Sequence, residues 1–244
     1  MLTQILSDLH GHLPKISNEA DLLILAGDVG AKPSQVRSIF KKIRETNEVP
    51  ILYVLGNHEY YDNIFPSSLE KYREVVHDLD ITLLERATIE FNGTLFIGCT
   101  MWTDYDKGRG EAAARFGMND FDFIRVDTDE GTRKSTPADF SSAYGEARIF
   151  LKESLSSAGE KKVVITHHMP SFSLVSKKFI GSSLNSSFAA DCYDLIRTYK
   201  PNLWIFGHTH EFTDKTLDQT RCLCNPLGYR GERSNYQERL LVEI

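Results

Sequence analysis

The chain has 244 residues, 41% of them apolar and 25% charged, with a formal net charge of -6. That length and balance are those of a soluble globular protein with room for a full core. The acidic balance argues against a protein whose main work is gripping a nucleic-acid backbone, without excluding a local basic patch.

The four cysteines, Cys99, Cys192, Cys222 and Cys224, show no C-x-x-C spacing. They fit reduced thiols in a cytoplasmic chain. The first residues lack the charged and apolar regions of a signal peptide. No apolar run reaches the length of a bilayer, so no membrane association is expected.

In chain order, residues 2–6 read as a short strand ending on Ser7-Asp8-Leu9-His10-Gly11-His12. Residues i and i+2 of an extended segment point the same way, so Asp8 and His10 can reach one centre. Residues 21–26 form a near-continuous apolar run, suited to a strand covered on both faces. It ends at Gly27-Asp28, and an ionised Asp just past a buried strand is costly unless paired or bound to a cation. Residues 33–45 are an amphipathic helix with Val36, Ile39, Phe40 and Ile43 on one stripe. Residues 50–55 are the next buried strand, ending at Gly56-Asn57-His58-Glu59, where Glu59 either orients a ligand or closes the turn. Residues 67–79 read as a helix and 81–84 as a strand. Residues 88–91 and 94–99 flank Asn92-Gly93, a strong hairpin signal, so the sheet is not purely parallel.

Residues 100–136 are irregular and read as a lid or substrate loop. Thr136-Pro137 then opens a long helix, with Pro at its first position and Phe140, Ala143, Tyr144, Ala147, Leu151 and Leu155 at helical spacing. Residues 161–166 are a β-branched strand ending at His167-His168-Met169-Pro170. The Ser-rich stretch 171–187 reads as a second variable loop, and 188–199 as a helix stopped by Pro201. Residues 202–206 form a buried strand that leads into Gly207-His208-Thr209-His210. The tail supplies 215–224, a turn at 225–229 and a last strand near 239–243. Without a repeat or linker, residues 1–244 are expected to form one domain.

Strands alternating with helices argue for an α/β sheet, whose ligands bind at the carboxyl ends of strands. Those ends present Asp8, His10, Asp28, Asn57, His58, His167 or His168, His208 and His210. This mixed N/O donor set suits Mn, Fe, Zn, Co or Ni, and lacks the thiolates of a closed structural zinc site. There are too many ligands for one ion, and Asp28 is the carboxylate best suited to bridge two.

Asp8-x-His10, Gly27-Asp28, Gly56-Asn57-His58-Glu59, His167 and Gly207-His208-x-His210, in this order, resemble the calcineurin-like metallophosphoesterase family. The resemblance implies a four-layer αββα sandwich of two mixed β-sheets flanked by helices. It also implies two divalent metal ions, with Mn as the expected activating ion. Asp8, His10 and His210 would hold one ion, Asn57, His167 and His208 the other, and Asp28 would bridge. Two ions about 3.5–4 Å apart clamp a phosphate and turn a bridging water into a hydroxide that attacks phosphorus in line. His58 would assist the leaving group rather than bind metal.

The resemblance therefore implies a phosphoesterase acting on a phosphomonoester or phosphodiester, with no obligate protein partner. The alternatives are a Ser/Thr protein phosphatase or a nuclease of the same family, and a catalytically silent metal-binding scaffold. The protein-phosphatase branch carries Gly-Asp-x-x-Asp-Arg where this chain reads Gly27-Asp28-Val29-Gly30-Ala31-Lys32, which weakens that alternative. His12, Tyr60, Tyr61, Trp102, Asn119, Asp120 and His168 are the candidate substrate-pocket residues. Arg109, Arg115, Arg125, Lys177 and Lys178 are the candidate cations for gripping phosphate.

Overall fold

A computed structural model describes residues 1–157, 159 and 161–244. In chain order the elements are β1 (Leu2–Leu6), β2 (Leu22–Ala26), α1 (Pro33–Arg44), β3 (Ile51–Val54), β4 (Ile64–Phe65), α2 (Leu69–His77), β5 (Thr82–Leu83), β6 (Ala87–Phe91) and β7 (Thr94–Cys99). They continue with α3 (Glu111–Gly117), α4 (Asp120–Phe123), β8 (Arg125–Thr128), β9 (Gly131–Lys134), α5 (Pro137–Ser156), β10 (Lys162–Thr166), α6 (Asn185–Phe188) and α7 (Tyr193–Tyr199). The last are β11 (Leu203–Ile205), β12 (Thr213–Leu217), β13 (Thr220–Cys224) and β14 (Leu241–Glu243).

The strands form two mixed sheets, ordered β14-β1-β2-β3-β5 and β12-β13-β11-β10-β7-β6. In the first, β14 runs antiparallel and the others are parallel. In the second, β13, β11, β10 and β7 are parallel, with an antiparallel strand at each edge.

The period-2 alternation of side chains assigns the faces. Ile5, Leu22, Ile24, Ala26, Leu52 and Val54 of the first sheet share one buried cluster with Phe96, Val163, Ile165, Leu203, Ile205 and Leu223 of the second, which is the layer between the sheets. The alternate residues Leu23, Leu25 and Tyr53 join the apolar stripe of α1, where Phe40 meets Tyr53 edge to face at 5.3 Å. On the second sheet, Ile97, Val164 and Trp204 share a cluster with Phe140 and Leu151 of α5 and Leu195 and Ile196 of α7. Helices thus flank a pair of stacked sheets, the αββα arrangement that the motif order implied.

Local signals explain most boundaries. Pro33 opens α1, whose last turn carries Lys41, Lys42 and Arg44 against the negative end of the helix dipole. Asp139 Oδ2 accepts from both the backbone N and the hydroxyl of Thr136, each at 2.7 Å, capping α5. Asn92 and Gly93 both take positive φ in the β6–β7 turn, as a two-residue hairpin requires.

Three stretches differ from their sequence-based expectation. Within 100–136, expected to be irregular, residues 111–134 form α3, α4 and the β8–β9 hairpin, which joins β4 in a third, small sheet. The helix expected over 188–199 begins only at Tyr193, because the Ala189 backbone bridges to Met169. The tail over 215–224 is two antiparallel strands, so β13 emerges parallel to β11. Among the described residues, no helix is long and apolar enough to cross a membrane.

Candidate metal centre

Parallel strands deliver their carboxyl ends to one edge, and here the ends of β1, β2, β3, β10 and β11 bring the metal-ligand candidates together. The chain turns there through unusual backbone: Asp8, His10, Asp28, His208 and His210 all have φ between +44° and +67°. Asp and His are among the few non-Gly residues that enter this left-handed region readily, and such conformations cluster at functional sites.

Two glycines supply clearance. A Cβ on Gly56 would sit 2.1 Å from Asp28 Oδ1, and one on Gly27 would sit 2.2 Å from His167 Nδ1. The main chain therefore lies directly against the ligand side chains.

The candidates form two groups on either side of Asp28, which also converges with His10 and His58. On one side Asp8, His10 and His210 converge, with His10 Nε2 and His210 Nε2 2.7 Å apart and His210 Nε2 3.5 Å from Asp8 Oδ1. On the other, Asp28, His167 and His208 converge, with His167 Nε2 3.1 Å from Asn57 Oδ1. Asp28 Oδ2 lies 3.9 Å from His10 Nε2 and 3.4 Å from His167 Nε2. Both Asp28 Oδ2 and His208 Nε2 are buried without a hydrogen-bond partner, a costly state that a bound cation would relieve.

The electrostatics fit cations as well. Burial, against the pull of Asp28, lowers His10 to about 3. Burial and the neighbouring His168 and His167 hold His208 well below its usual value. Both therefore present neutral imidazoles, the form that binds metal. Burial would raise Asp28, but His167 and His58 outweigh it and hold its carboxyl well below the usual range. Burial also opposes charge on His167, yet Asp28 and Asp8 lift it to about 10. Burial raises the Asp8 carboxyl, so it is chiefly Asp28 that draws positive charge to a place that divalent cations would fill. With imidazole, carboxylate and amide oxygen as donors, the residues fit a pair of such ions.

A surrounding set of groups holds these side chains. Glu59 is fully buried and staples two strand ends: Oε1 accepts from Val29 N at 2.7 Å and Tyr53 OH at 2.8 Å, and Oε2 from Gly56 N at 2.7 Å and Asp28 N at 3.0 Å. Asp120 Oδ1 accepts from Asn57 Nδ2 at 2.7 Å and from Tyr61 OH at 2.8 Å, which turns the Asn57 carbonyl toward His167. His167 Nδ1 lies 2.9 Å from the Ala26 carbonyl, which leaves Nε2 facing the centre. Such outer contacts orient ligands and set their tautomers.

The other sequence candidates are placed as follows. His58 sits at the rim, its backbone N donating to Asp28 Oδ1 at 2.9 Å and its ring stacked on Tyr61 at 4.1 Å. His168 is buried with Nδ1 3.2 Å from the Thr100 carbonyl. Asn119 lines a cleft of about 330 Å³ over the centre, together with Tyr61, His58 and Tyr229.

His12 is exposed. Tyr60 and Trp102, expected to line the pocket, are core residues instead: Trp102 stacks on Phe140 at 4.0 Å, and Tyr60 packs edge to face on Phe65. Of the candidate phosphate-gripping cations, Arg109 pairs with Asp106, Arg115 lies over the Phe121 ring, Arg125 bonds Thr132 and Lys178 pairs with Glu211. Lys177 is exposed.

Two residues of the site escaped sequence reasoning. Tyr229 OH lies 3.2 Å from His58 Nε2, and Glu232 Oε2 lies 2.7 Å from His210 Nδ1. The signal that leads to them is the parallel run of β13, which puts the turn after Cys224 at the same edge as the metal ligands. That turn is then held to the end of β1, with Leu227 N bonded to Ser7 O and Gly228 N to Asp8 O.

A family model for calcineurin-like phosphoesterases matches residues 2–212. The protein L509 of Acanthamoeba polyphaga mimivirus is 25% identical over 245 residues, covering 94% of this chain and 86% of its own. The crystal structure of phosphopantetheinyl hydrolase (PptH) from Mycobacterium tuberculosis matches with a TM-score of 0.71 at 17% identity, over 96% of this chain and 93% of that one. GAP50, the anchor in the inner membrane complex of Plasmodium, matches with a TM-score of 0.51 at 12% identity, over 92% of this chain and 70% of that one. At these identities the likeness to the two structures is one of fold. A hydrolase and an anchor share that fold, so activity has to be argued from side chains. The family match across most of the chain agrees with the ordered ligand blocks at the strand ends, and the chain belongs to the calcineurin-like phosphoesterase family.

Proposed function

We propose that this protein is a dinuclear metal-dependent phosphoesterase that hydrolyses a phosphomonoester or phosphodiester. In this reading Asp8, His10 and His210 hold one ion and Asn57, His167 and His208 the other, with Asp28 common to both. The observation that carries it is the position of Asp28 Oδ2, buried without a hydrogen-bond partner between His10 and His167. When bound, the two cations supply Lewis acidity toward the phosphoryl oxygens and activation of the attacking water. We assign Mn as the activating ion, and the four buried free thiols support a reducing, cytoplasmic setting.

The chain's own residues do the rest. His58 is held at the rim by the Asp28 carboxylate, the Tyr61 ring and the Tyr229 hydroxyl. From there its imidazole can pass a proton to the departing oxygen. Asp120 keeps the Asn57 amide from rotating, so its oxygen faces the centre. The protein-phosphatase motif carries Asp-Arg where this chain has Ala31-Lys32, and this favours a small-molecule ester over a phosphoprotein.

Paired turnover of p-nitrophenyl phosphate and bis-p-nitrophenyl phosphate, on chelated protein refilled with Mn, tests the reading. Hydrolysis of either, lost in Asp28→Asn and in His208→Ala, is expected. Full activity in Asp28→Asn, or silence on both esters with two ions bound, overturns it.

A further inference from the structure

Next to the metal cleft lies a second, mostly apolar cavity of about 210 Å³. Its walls include Met169, Leu174, Val175, Phe179, Leu184 and Phe188. Phe179, Leu184, Phe188 and Thr209 line both spaces, so the cavity adjoins the cleft directly.

The chain builds this wall deliberately from the Ser-rich stretch after β10. Met169 N donates to Phe188 O at 3.0 Å and Ala190 N to Met169 O at 2.9 Å, closing the stretch into a loop. Inside it, Leu174 is buried and the Phe188 ring stacks on His208 at 4.6 Å, against a residue of the metal centre. Leu184 takes the space left free by Gly117, where a Cβ would meet Leu184 Cδ2 at 2.6 Å. Nearby, Phe179 is 45% exposed and the adjacent Ile180 73% exposed. Exposed apolar side chains thus stand beside the cavity as well as inside it.

We propose that this cavity receives an apolar group, a short alkyl chain or a single ring, of the ester whose phosphate sits at the metal centre. The proposal rests on the phosphoesterase reading and narrows it to esters with an apolar substituent. The cavity is smaller than the roughly 300–1,000 Å³ of pockets for drug-sized ligands, which limits the group to a short one. Buried there, each methylene strengthens binding roughly fourfold.

The test is calorimetric titration of the full, Mn-loaded chain with methyl-, n-butyl- and n-hexylphosphonate, which bind without being hydrolysed. Affinity is expected to climb along the series, and Phe179→Ser and Val175→Asp to bring the hexyl-to-methyl ratio toward one. Phe179 is surface-exposed, so its variant keeps the test informative if Val175→Asp does not fold. A flat series overturns the proposal, as does a climb unchanged in the variants. Turnover of p-nitrophenyl esters is measured alongside. A flat series with turnover sinks the apolar pocket alone, whereas a climbing series without turnover of either ester sinks the catalytic reading alone.

Discussion

Glu232 Oε2 lies 2.7 Å from His210 Nδ1 and also accepts the Tyr229 amide at 2.9 Å. One carboxylate thus orients a metal-ligand candidate and fixes the residue whose hydroxyl reaches His58. Removing the carboxylate charge should loosen His210 without emptying the core, because Glu232 is 35% exposed. Glu232→Gln is expected to weaken Mn binding at the His210 position roughly 10- to 100-fold. Calorimetric metal titration measures this, and unchanged affinity for both ions would show that Glu232 has no such role.

His58 and Tyr229 should separate rate from metal content. His58→Ala is expected to keep both ions and lose roughly 10²- to 10⁴-fold in kcat. Tyr229→Phe, which keeps the ring stacked on His10 at 4.2 Å but removes the hydroxyl, is expected to lose less. Steady-state kinetics with metal analysis of the same samples decide it. Loss of metal in His58→Ala would move His58 into the ligand set.

Two glycines make a matched pair. Gly56→Ala forces a methyl group against Asp28 Oδ1 and is expected to abolish tight metal binding. Gly145, inside α5, has nothing within 4 Å of the Cβ position. Gly145→Ala is therefore expected to stabilise the chain by about 0.5–1 kcal/mol. Urea midpoints and metal content of both variants check this, and a Gly56→Ala protein with normal metal content would contradict the clearance argument.

Metal removal should be visible in stability. At a hundred times its dissociation constant, each ion adds about 2.7 kcal/mol to the folded state, worth roughly 5–10 °C for a chain of this size. Scanning calorimetry with chelator and after Mn return should show the fall and the recovery. An unmoved midpoint would mean that neither site binds Mn tightly.

The cap of α5 carries a pH signature. Burial opposes the charge on Asp139, but the bonds from Arg133 and Thr136 hold its carboxyl below the usual range. A lowered folded pKa means stability that is present above the unfolded value of about 3.9 and is lost as pH falls through the folded one. Asp139→Asn is expected to cost about 1 kcal/mol at pH 7, and the difference from wild type should shrink below pH 4. Urea unfolding of metal-free protein at several pH values follows it. A constant difference would assign the effect to packing.

The parts legible in the sequence were those written in side chains that solvent or apolar contact selects. Apolar runs such as Leu22–Ala26 mark strands buried on both faces, and Asp28 or His208 just beyond them mark strand ends. Apolar spacing failed between Phe188 and Leu195 because it reports burial, and the Ala189 backbone satisfies its hydrogen bonding with Met169 instead of within a helix. The β8–β9 hairpin is exposed except at Val126, so it leaves no alternation to read. Tyr60 lies beside site residues in sequence and Trp102 in the stretch read as a substrate loop, but their apolar rings are drawn into the core by Phe65 and Phe140. Glu232 and Tyr229 depend on strand order, which no local pattern encodes.

The left-handed corners at Asp8, Asp28 and His208 also bear on how such centres are found or transplanted. Grafting the same side chains onto strands that end straight would aim them elsewhere, since it is the reversed backbone twist that swings each one back over the sheet edge. A survey of unassigned chains that scores only Asp and His identities will therefore collect false matches. One that also requires positive φ at those positions is the more selective filter.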